Sequence, residues 1–285
     1  MNLSPATISI LGQLLRARTG QTLSEPRYYL LESVLTPIAR ARKLQSVDQL
    51  ADKIMLGSDP ALADEVVEAL LNNESYFFRD RTAFTLLREK ALPLLAERRA
   101  NERRLRIWCA GASTGQEPYS IAMLVAETSA AWSGWKIEIL ATDISRSAIE
   151  RGERGVYSQF EVQRGLHMRE LTEHFGQTKP DWQLRAGLRD RVQFVRHNLL
   201  DAPPPGSFDL ILCRNVLFYF CENVRRQVFA NLYQAMAVDG LLMLGAAETV
   251  LGVTDHFVPD RRQRGLYMPA QLDGIGRTGA LRLAG

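Results

Sequence analysis

The run Leu105-Arg106-Ile107-Trp108-Cys109-Ala110-Gly111-Ala112-Ser113-Thr114-Gly115-Gln116-Glu117 carries an apolar strand into a turn of small residues that opens an amphipathic helix. Small side chains let the backbone pass close to a ligand, and glycine reaches the positive φ angles that so tight a turn demands. The arrangement points to a nucleotide-type site on an α/β sheet. The residues after the turn narrow the ligand. A Walker loop ends in Gly-Lys-Ser/Thr, whereas Gly115 is followed by Gln116 and Glu117, with no lysine to meet a β-phosphate. A dinucleotide loop needs Gly-x-Gly-x-x-Gly, a register that Gly111-Ala112-Ser113-Thr114-Gly115 lacks. Glu117 in the first helical turn would also repel a pyrophosphate seated there. A ligand with a cationic end fits better.

The strand-helix alternation continues beyond this turn. Strands are expected at 105–110, 137–142, 192–195, 208–213 and 241–245, with helices at 117–128, 146–151 and 222–236. Parallel strands need crossover helices, so the order predicts an α/β fold with a doubly wound, mostly parallel sheet. The rhythm stops at 155–191, a polar stretch containing Trp182-Gln183-Leu184-Arg185 and a turn at Lys179-Pro180-Asp181, read as a small inserted helix and an antiparallel ribbon. Short strands at 256–259 and 265–268, around the basic turn Arg261-Arg262-Gln263-Arg264, predict a closing hairpin. Gly and Arg dominate 269–285, expected to be a flexible tail.

Before residue 100 the pattern is helical. Ile8, Leu11, Leu14 and Leu15, then Leu30, Leu31, Val34, Leu35 and Ile38, then Leu50, Ile54, Leu62, Val66, Leu70 and Leu71 recur at three- and four-residue steps. This predicts a small helical N-terminal domain, 1–72, joined by a linking helix region, 73–103, to a main domain at 104–268. The charged segment 97–106 reads as the end of the linking helix, its arginines as a solvated face. Pro37 is expected to kink or end its helix, and Gly57-Ser58-Asp59-Pro60 to make a turn and a helix start.

Composition excludes several classes. With 46% hydrophobic and 24% charged residues the chain is a globular protein with a sizeable core, neither disordered nor collagen-like. Arg16, Arg18, Glu25 and Arg27 interrupt any early apolar run, so neither a signal peptide nor a membrane span is expected, and a cytoplasmic location is. Cys109, Cys213 and Cys221 form no CxxC pair, which favours buried thiols over a disulfide or zinc site. A net charge of +3 permits an acidic partner without requiring nucleic acid.

In a doubly wound sheet, ligands sit outside the carboxyl ends of the strands. Asp143 follows an apolar strand directly, where a carboxylate can accept from two ribose hydroxyls; the alternative is an N-cap for the helix after it. Glu117 can face the ligand or close a capping box with Thr114. Upstream, Asn72-Asn73-Glu74-Ser75-Tyr76-Phe77-Phe78-Arg79-Asp80 reads by itself as a helix cap and core plug. Downstream, Tyr219 lies four residues beyond Asn215, a spacing that shares one helical face. His197 adjoins Asn198 and reads as structural, while His167, His174 and His256 fall elsewhere.

Together, Asn73-x-Ser75-x-Phe77-Phe78-Arg79, Ala112-Ser113-Thr114-Gly115-Gln116-Glu117-Pro118-Tyr119-Ser120, Ala141-Thr142-Asp143-Ile144, Asn198-Leu199-Leu200 and Cys213-Arg214-Asn215-Val216-x-x-Tyr219-Phe220 closely resemble the CheR-type chemoreceptor glutamate O-methyltransferases. The match runs in order over nearly the whole chain. Each piece singly is weak, and the set is specific. The family often has Glu-Glu where this chain has Gln116-Glu117, and Glu117 is the position that matters. The resemblance implies a class I S-adenosylmethionine (SAM) methyltransferase fold with an inserted antiparallel β-subdomain, in agreement with the interruption at 155–191. It implies SAM contacts from Asn73, Ser75, Arg79, Glu117, Asp143, Asn198, Leu199, Cys213, Arg214 and Asn215, with Arg79 and Tyr219 bordering the transferred methyl as catalytic residues. The products would be a glutamyl methyl ester and S-adenosylhomocysteine (SAH).

The implied partner is the cytoplasmic helical bundle of a methyl-accepting chemoreceptor, so the protein would meet a membrane only through its receptor and act as a monomer. Arg40, Arg42 and Lys43 could face that bundle's acidic surface or simply be solvated. Some relatives dock through the β-subdomain to a receptor pentapeptide; here the ribbon spans only 175–192, which favours pentapeptide-independent docking. A SAM enzyme acting on nucleic acid or a small molecule is the first rival. Against it, Cys213-Arg214-Asn215-Val216 stands where amino-methylases carry Asn/Asp-Pro-Pro-Tyr, and no basic stripe with interleaved aromatics occurs. A non-catalytic scaffold binding SAM or SAH is the second, and retention of Arg79 and Tyr219 counts against it. A nicotinamide oxidoreductase lacks its glycine register.

Overall fold

Side-chain hydroxyls and carboxylates start the N-terminal helices where the sequence places them. The computed structural model describes residues 3–57, 59–260, 263 and 265–270. Helix α1 (Pro5–Thr19) begins at Ser4, whose hydroxyl accepts from the Thr7 N–H, and ends at Gly20 in the left-handed conformation. Then come α2 (Tyr28–Ala41), α3 (Val47–Met55) capped by Ser46, and α4 (Pro60–Leu70) capped by Asp59. Leu11, Leu15, Leu31, Leu35, Leu50, Leu62 and Val66 close a core of their own within this bundle. Leu30 and Val34, expected in the same stripe, are each 37% exposed. Pro37 does not end α2, which runs on to Ala41. The carbonyl of Ser33 that loses its donor is on an exposed residue, where water can serve it, while Ile38 and Ala39 bury the following turn.

Helix α5 (Arg81–Leu86), a π-helical turn (Leu87–Ala91) and α6 (Leu92–Arg98) form the link. The helix stops at Arg98 rather than running to residue 106, and Arg99 is no solvated charge. Its Nε donates to Asp209 at 2.6 Å and its Nη1 to Asp239 at 2.8 Å, fastening the link to the sheet.

The main region follows as β1 (Arg104–Ala110), α7 (Gln116–Glu127), β2 (Lys136–Asp143) and α8 (Arg146–Arg154). The insertion is richer than one helix and a ribbon: β3 (Val156–Tyr157), α9 (Gln159–Gln163), α10 (Met168–His174), β4 (Phe175–Thr178), β5 (Asp181–Leu184) and α11 (Ala186–Arg189). Its sheet order is β3-β5-β4, all antiparallel. A strand of two residues leaves no alternation to read, which is why β3 escapes a periodicity argument. The chain then continues through β6 (Val192–Arg196), β7 (Phe208–Cys213), α12 (Glu222–Ala235), β8 (Met236–Leu244), β9 (Phe257–Pro259) and β10 (Leu266–Pro269). The last two strands make the expected hairpin, and β10 reaches into the stretch expected to be a flexible tail; 271–285 and most of the basic turn lie outside the described residues.

The main sheet has the order β6-β2-β1-β7-β8-β10-β9, parallel from β6 to β8 and antiparallel at β10 and β9. Winding reverses between β1 and β7, and the crevice above that reversal is where such sheets bind ligands. Burial on both faces explains the largely apolar central strands: β7 is buried at every position, and Asp209, its charged residue, is bonded to Arg99. On α8, Gly152 lets the helix lie against β6. A Cβ there would stand 2.4 Å from the Phe194 ring. In an open helix, glycine to alanine gains up to about 1 kcal/mol, but overpacking a tight interface costs about 1–3 kcal/mol. Gly152→Ala should therefore lower the urea unfolding midpoint, and a raised midpoint would show that α8 and β6 are less tightly seated.

Candidate active site

The loop after β1 is bent by three residues in left-handed conformation, Gly111 (φ 83), Ser113 (φ 51) and Gly115 (φ 96). Its Gly111 and Ala112 N–H groups both donate to the Thr142 carbonyl at 2.8 Å, tying it to the tip of β2. A Cβ on Gly111 would lie 2.4 Å from a methyl of Val216 in the loop after β7, so glycine allows the two loops to touch. Around them opens a cleft that is partly open to solvent.

Asp143 forms one wall. Its Oδ2 accepts from the Ser113 N–H at 2.8 Å and its Oδ1 from the Ser145 N–H at 2.9 Å. It does not cap α8, because Ser145 does so by accepting from the Ala148 N–H. Burial pushes the Asp143 carboxyl above its usual range, and the two amide bonds only partly offset this. Glu117 forms the opposite wall and closes no capping box. Gly115 holds the N-cap position, and the Thr114 hydroxyl turns to the Gln116 side chain. The Glu117 Oε2 instead accepts from Arg214 Nη1 at 3.0 Å. Burial raises the Glu117 pKa and the adjoining guanidinium pulls it back. The Arg214 side chain is 1% exposed, and its Nη2 donates to the Arg79 carbonyl at 2.9 Å. One guanidinium thus joins α7, β7 and the segment before α5.

That segment is both core plug and cleft wall. Phe77 and Phe78 are buried, and the Phe78 N–H donates to Ser120 Oγ at 2.9 Å. Asn73, Ser75 and Arg79 line the cleft. The Asn73 side chain donates to Ser145 Oγ at 3.1 Å, and Ser113 Oγ donates to the Asn73 carbonyl at 2.7 Å. The Arg79 guanidinium lies over the Tyr76 ring, 5.4 Å from its centroid, and donates to the Glu74 carbonyl at 3.2 Å. The expected helix cap is missing, since Asp80 gives α5 no side-chain bond.

Asn198, Leu199, Asn215 and Tyr219 also line the cleft. Asn198 accepts from the Leu200 N–H, fixing the loop after β6. Asn215 (φ 60) and the short 3-10 turn Leu217–Tyr219 replace the helical face expected for Asn215 and Tyr219, so proximity comes from a tight turn. Tyr219 Oη accepts from Asn72 Nδ2 at 2.7 Å, and burial raises its pKa. Cys213 is the exception among the expected contacts. Its side chain is fully buried, and it does not line the cleft. It is the last residue of a strand buried on both faces, so its thiol turns into the core while the following loop lines the cleft.

Sequence reasoning missed several wall residues, Leu71 among them. Thr19 and Gln21 arrive from the N-terminal bundle, and nothing in their local pattern marks them. His197, read as structural, also lines the cleft, its ring edge-on to Trp108 with centroids 6.1 Å apart; burial lowers its pKa. Its position directly after β6 was the available signal.

A doubly wound sheet with an acid at the tip of β2, a glycine turn after β1 and a hairpin-closed edge defines a class I SAM-dependent methyltransferase. Residues 73–265 match the model of the CheR methyltransferase, SAM binding domain. A chemotaxis protein methyltransferase of Vibrio parahaemolyticus is 36% identical over 250 residues, covering 86% of this chain and 90% of its own. Chemotaxis protein methyltransferase 1 of Pseudomonas aeruginosa is 32% identical over 262 residues, covering 90% and 95%. Cher2 of Pseudomonas putida is 33% identical over 243 residues, covering 84% and 88%. The chain belongs to the CheR methyltransferase family.

Removing one partner of a buried ion pair strands the other charge, at a cost of about 3–5 kcal/mol. Arg214→Met should therefore destabilise the fold by about that amount in urea titrations, and adding Glu117→Gln should recover part of the loss. Equal losses in the single and double variants would show that the charge on Glu117 is not what Arg214 compensates.

Proposed function

We propose that this chain transfers the methyl group of SAM to glutamate side chains of a methyl-accepting chemoreceptor, giving glutamyl methyl esters and SAH. The observation that carries the reading is the convergence, on one cleft at the strand tips, of Asp143, the Glu117–Arg214 pair, Arg79 and Tyr219.

These residues suit SAM. Both Asp143 oxygens already accept backbone N–H groups, and a carboxylate has about four acceptor sites, so it retains capacity for two ribose hydroxyls. Glu117 offers an anion to the α-amino group and Arg214 a cation near the carboxylate, so a buried ion pair meets a zwitterion of opposite polarity. Asn73, Ser75, Asn198, Leu199 and Asn215 supply the remaining contacts. SAM, when bound, supplies a methyl group on a cationic sulfur and leaves as a neutral thioether.

The acceptor carboxylate, with an ordinary pKa of about 4.3, is ionised at neutral pH and needs no general base. One of its oxygens attacks the methyl carbon in line with the breaking C–S bond. Arg79 orients the incoming carboxylate through one oxygen and leaves the other free, and Tyr219 sets its ring and oxygen beside the sulfur. Closure of receptor over cleft strips water from the nucleophile.

For docking, Arg40 and Lys43 are exposed on and just after α2, where an acidic helical bundle can meet them. Arg42 is committed elsewhere, to Asp59 at 2.8 Å and Glu65 at 2.7 Å. Docking independent of a receptor pentapeptide, action as a monomer and a cytoplasmic location complete the proposal. No described helix is long and apolar enough to cross a membrane.

Two outcomes test this reading. Arg79→Ala should lower kcat for receptor methylation about 100-fold while leaving the SAM dissociation constant within a few-fold, as loss of alignment does; unchanged turnover would remove Arg79 from the reaction. Because ribose donors favour ionised Asp143, affinity should be full above its raised pKa and fall as pH drops through it. Calorimetric titration of SAH against pH should show this decline in wild type and a weaker profile with less of the decline in Asp143→Asn, where of the two acids only Glu117 still titrates.

A further inference from the structure

The loop after β7 cannot hold its shape by its own bonds. Asn215 is left-handed without being glycine (φ 60), and the next residues make only a single short 3-10 turn. Its backbone N–H groups point instead to one carboxylate 31 or more residues later in the chain. Glu248 Oε1 accepts from the Val216 N–H at 2.9 Å and the Leu217 N–H at 2.7 Å. Its Oε2 accepts from the Asn215 N–H and the Gly245 N–H, both at 2.8 Å. The residue is 9% exposed. Among the described residues no lysine, arginine or histidine pairs with it, so four amides take the place of a counter-ion. The carboxylate fits because Gly245 lacks a side chain: a Cβ there would stand 2.7 Å from Oε2 and 2.9 Å from the Asn215 nitrogen.

The amides it grips belong to the residues that shape the cleft. Asn215 and Val216 line it, Val216 meets Gly111 of the β1 loop, and Tyr219 comes within the same turn. We propose that Glu248 is the positioning residue of this site: its carboxylate, seated in the Gly245-x-x-Glu248 turn, sets the Asn215–Val216–Leu217 backbone and thereby places Asn215 against the cofactor and Tyr219 beside the transferred methyl. This rests on the function proposed above. Charge-assisted bonds to backbone amides are the strong kind, and an uncharged amide in their place would turn a donor toward donors.

Three variants test the assignment. Glu248→Gln keeps the volume and removes the charge. Gly245→Ala keeps the charge and pushes the carboxylate off its seat. Leu232→Ala, at a buried core position of α12 that does not line the cleft, supplies general destabilisation. SAH affinity by calorimetry and methylation of receptor-containing membranes with radiolabelled SAM are measured at equal distance below each midpoint. The expected result is a SAH dissociation constant raised about tenfold and kcat lowered about 100-fold in both Glu248→Gln and Gly245→Ala, in line with the loss from a displacement near 1 Å, with Leu232→Ala at wild-type values. Should Glu248→Gln fail to fold, Gly245→Ala carries the test. Wild-type constants in the folded cleft variants, or the same losses in Leu232→Ala, would overturn the assignment. If wild type itself neither binds SAH nor methylates, the parent function falls and this assignment with it.

Discussion

The interaction on which the site depends is the buried pair of Glu117 and Arg214. Two charges taken out of water are tolerated only when each finds its partner and the remaining polar atoms are satisfied. Here three separate pieces of chain are brought together, the first turn of α7, the residue after β7 and the backbone of Arg79, so that both terminal nitrogens of the guanidinium are bonded while its Nε has no partner among the described residues. The pair therefore acts as a geometric constraint. It forces the 73–80 segment over the sheet at the point where winding reverses, and Phe77 and Phe78 then seal that placement with apolar contact.

The two acids of the cleft answer to different surroundings. Asp143 is held by backbone amides and has no cation at bonding distance among the described residues, whereas Glu117 has a guanidinium against it. Burial raises both pKa values, but the counter-charge acts on Glu117 alone among them as a bonded partner. In the function proposed above, the first carboxylate takes the hydroxyl donors of the ribose and the second the ammonium group of a zwitterion.

Much of the frame was legible in residue order. Apolar runs such as 210–213 marked central parallel strands, and Gly111 and Gly115 marked the turn, because those signals are local. Other features depended on distant partners. Thr19 and Gln21 reach the cleft only through the packing of the helical bundle on the sheet, and no neighbouring residue announces it. Glu248 looks like an ordinary surface acid until the loop it serves is folded beside it. Cys213 differs from its motif neighbours: they line the cleft, whereas its own side chain is buried in the core. Thr114 and Glu117 had the spacing of a capping box, yet an unpaired buried arginine competes more strongly for the carboxylate than a backbone amide does.

Glu68, in α4, crosses to the other half of the molecule. Its carboxylate accepts from the Ser147 N–H at 3.0 Å, the Ser147 hydroxyl at 2.7 Å and the Arg146 N–H at 3.2 Å, and from the Ser145 hydroxyl. Those bonds outweigh the effect of burial and hold its pKa low. Nearby, the Thr22 N–H donates to the Tyr219 carbonyl at 2.7 Å. A fragment cut at residue 73 would begin where the match to the family model begins, yet it would leave the start of α8 without its anion and the tyrosine turn without its brace. The helical bundle is thus part of the scaffold of the cleft, and the relatives' alignments, at 243 to 262 residues, are long enough to reach into it.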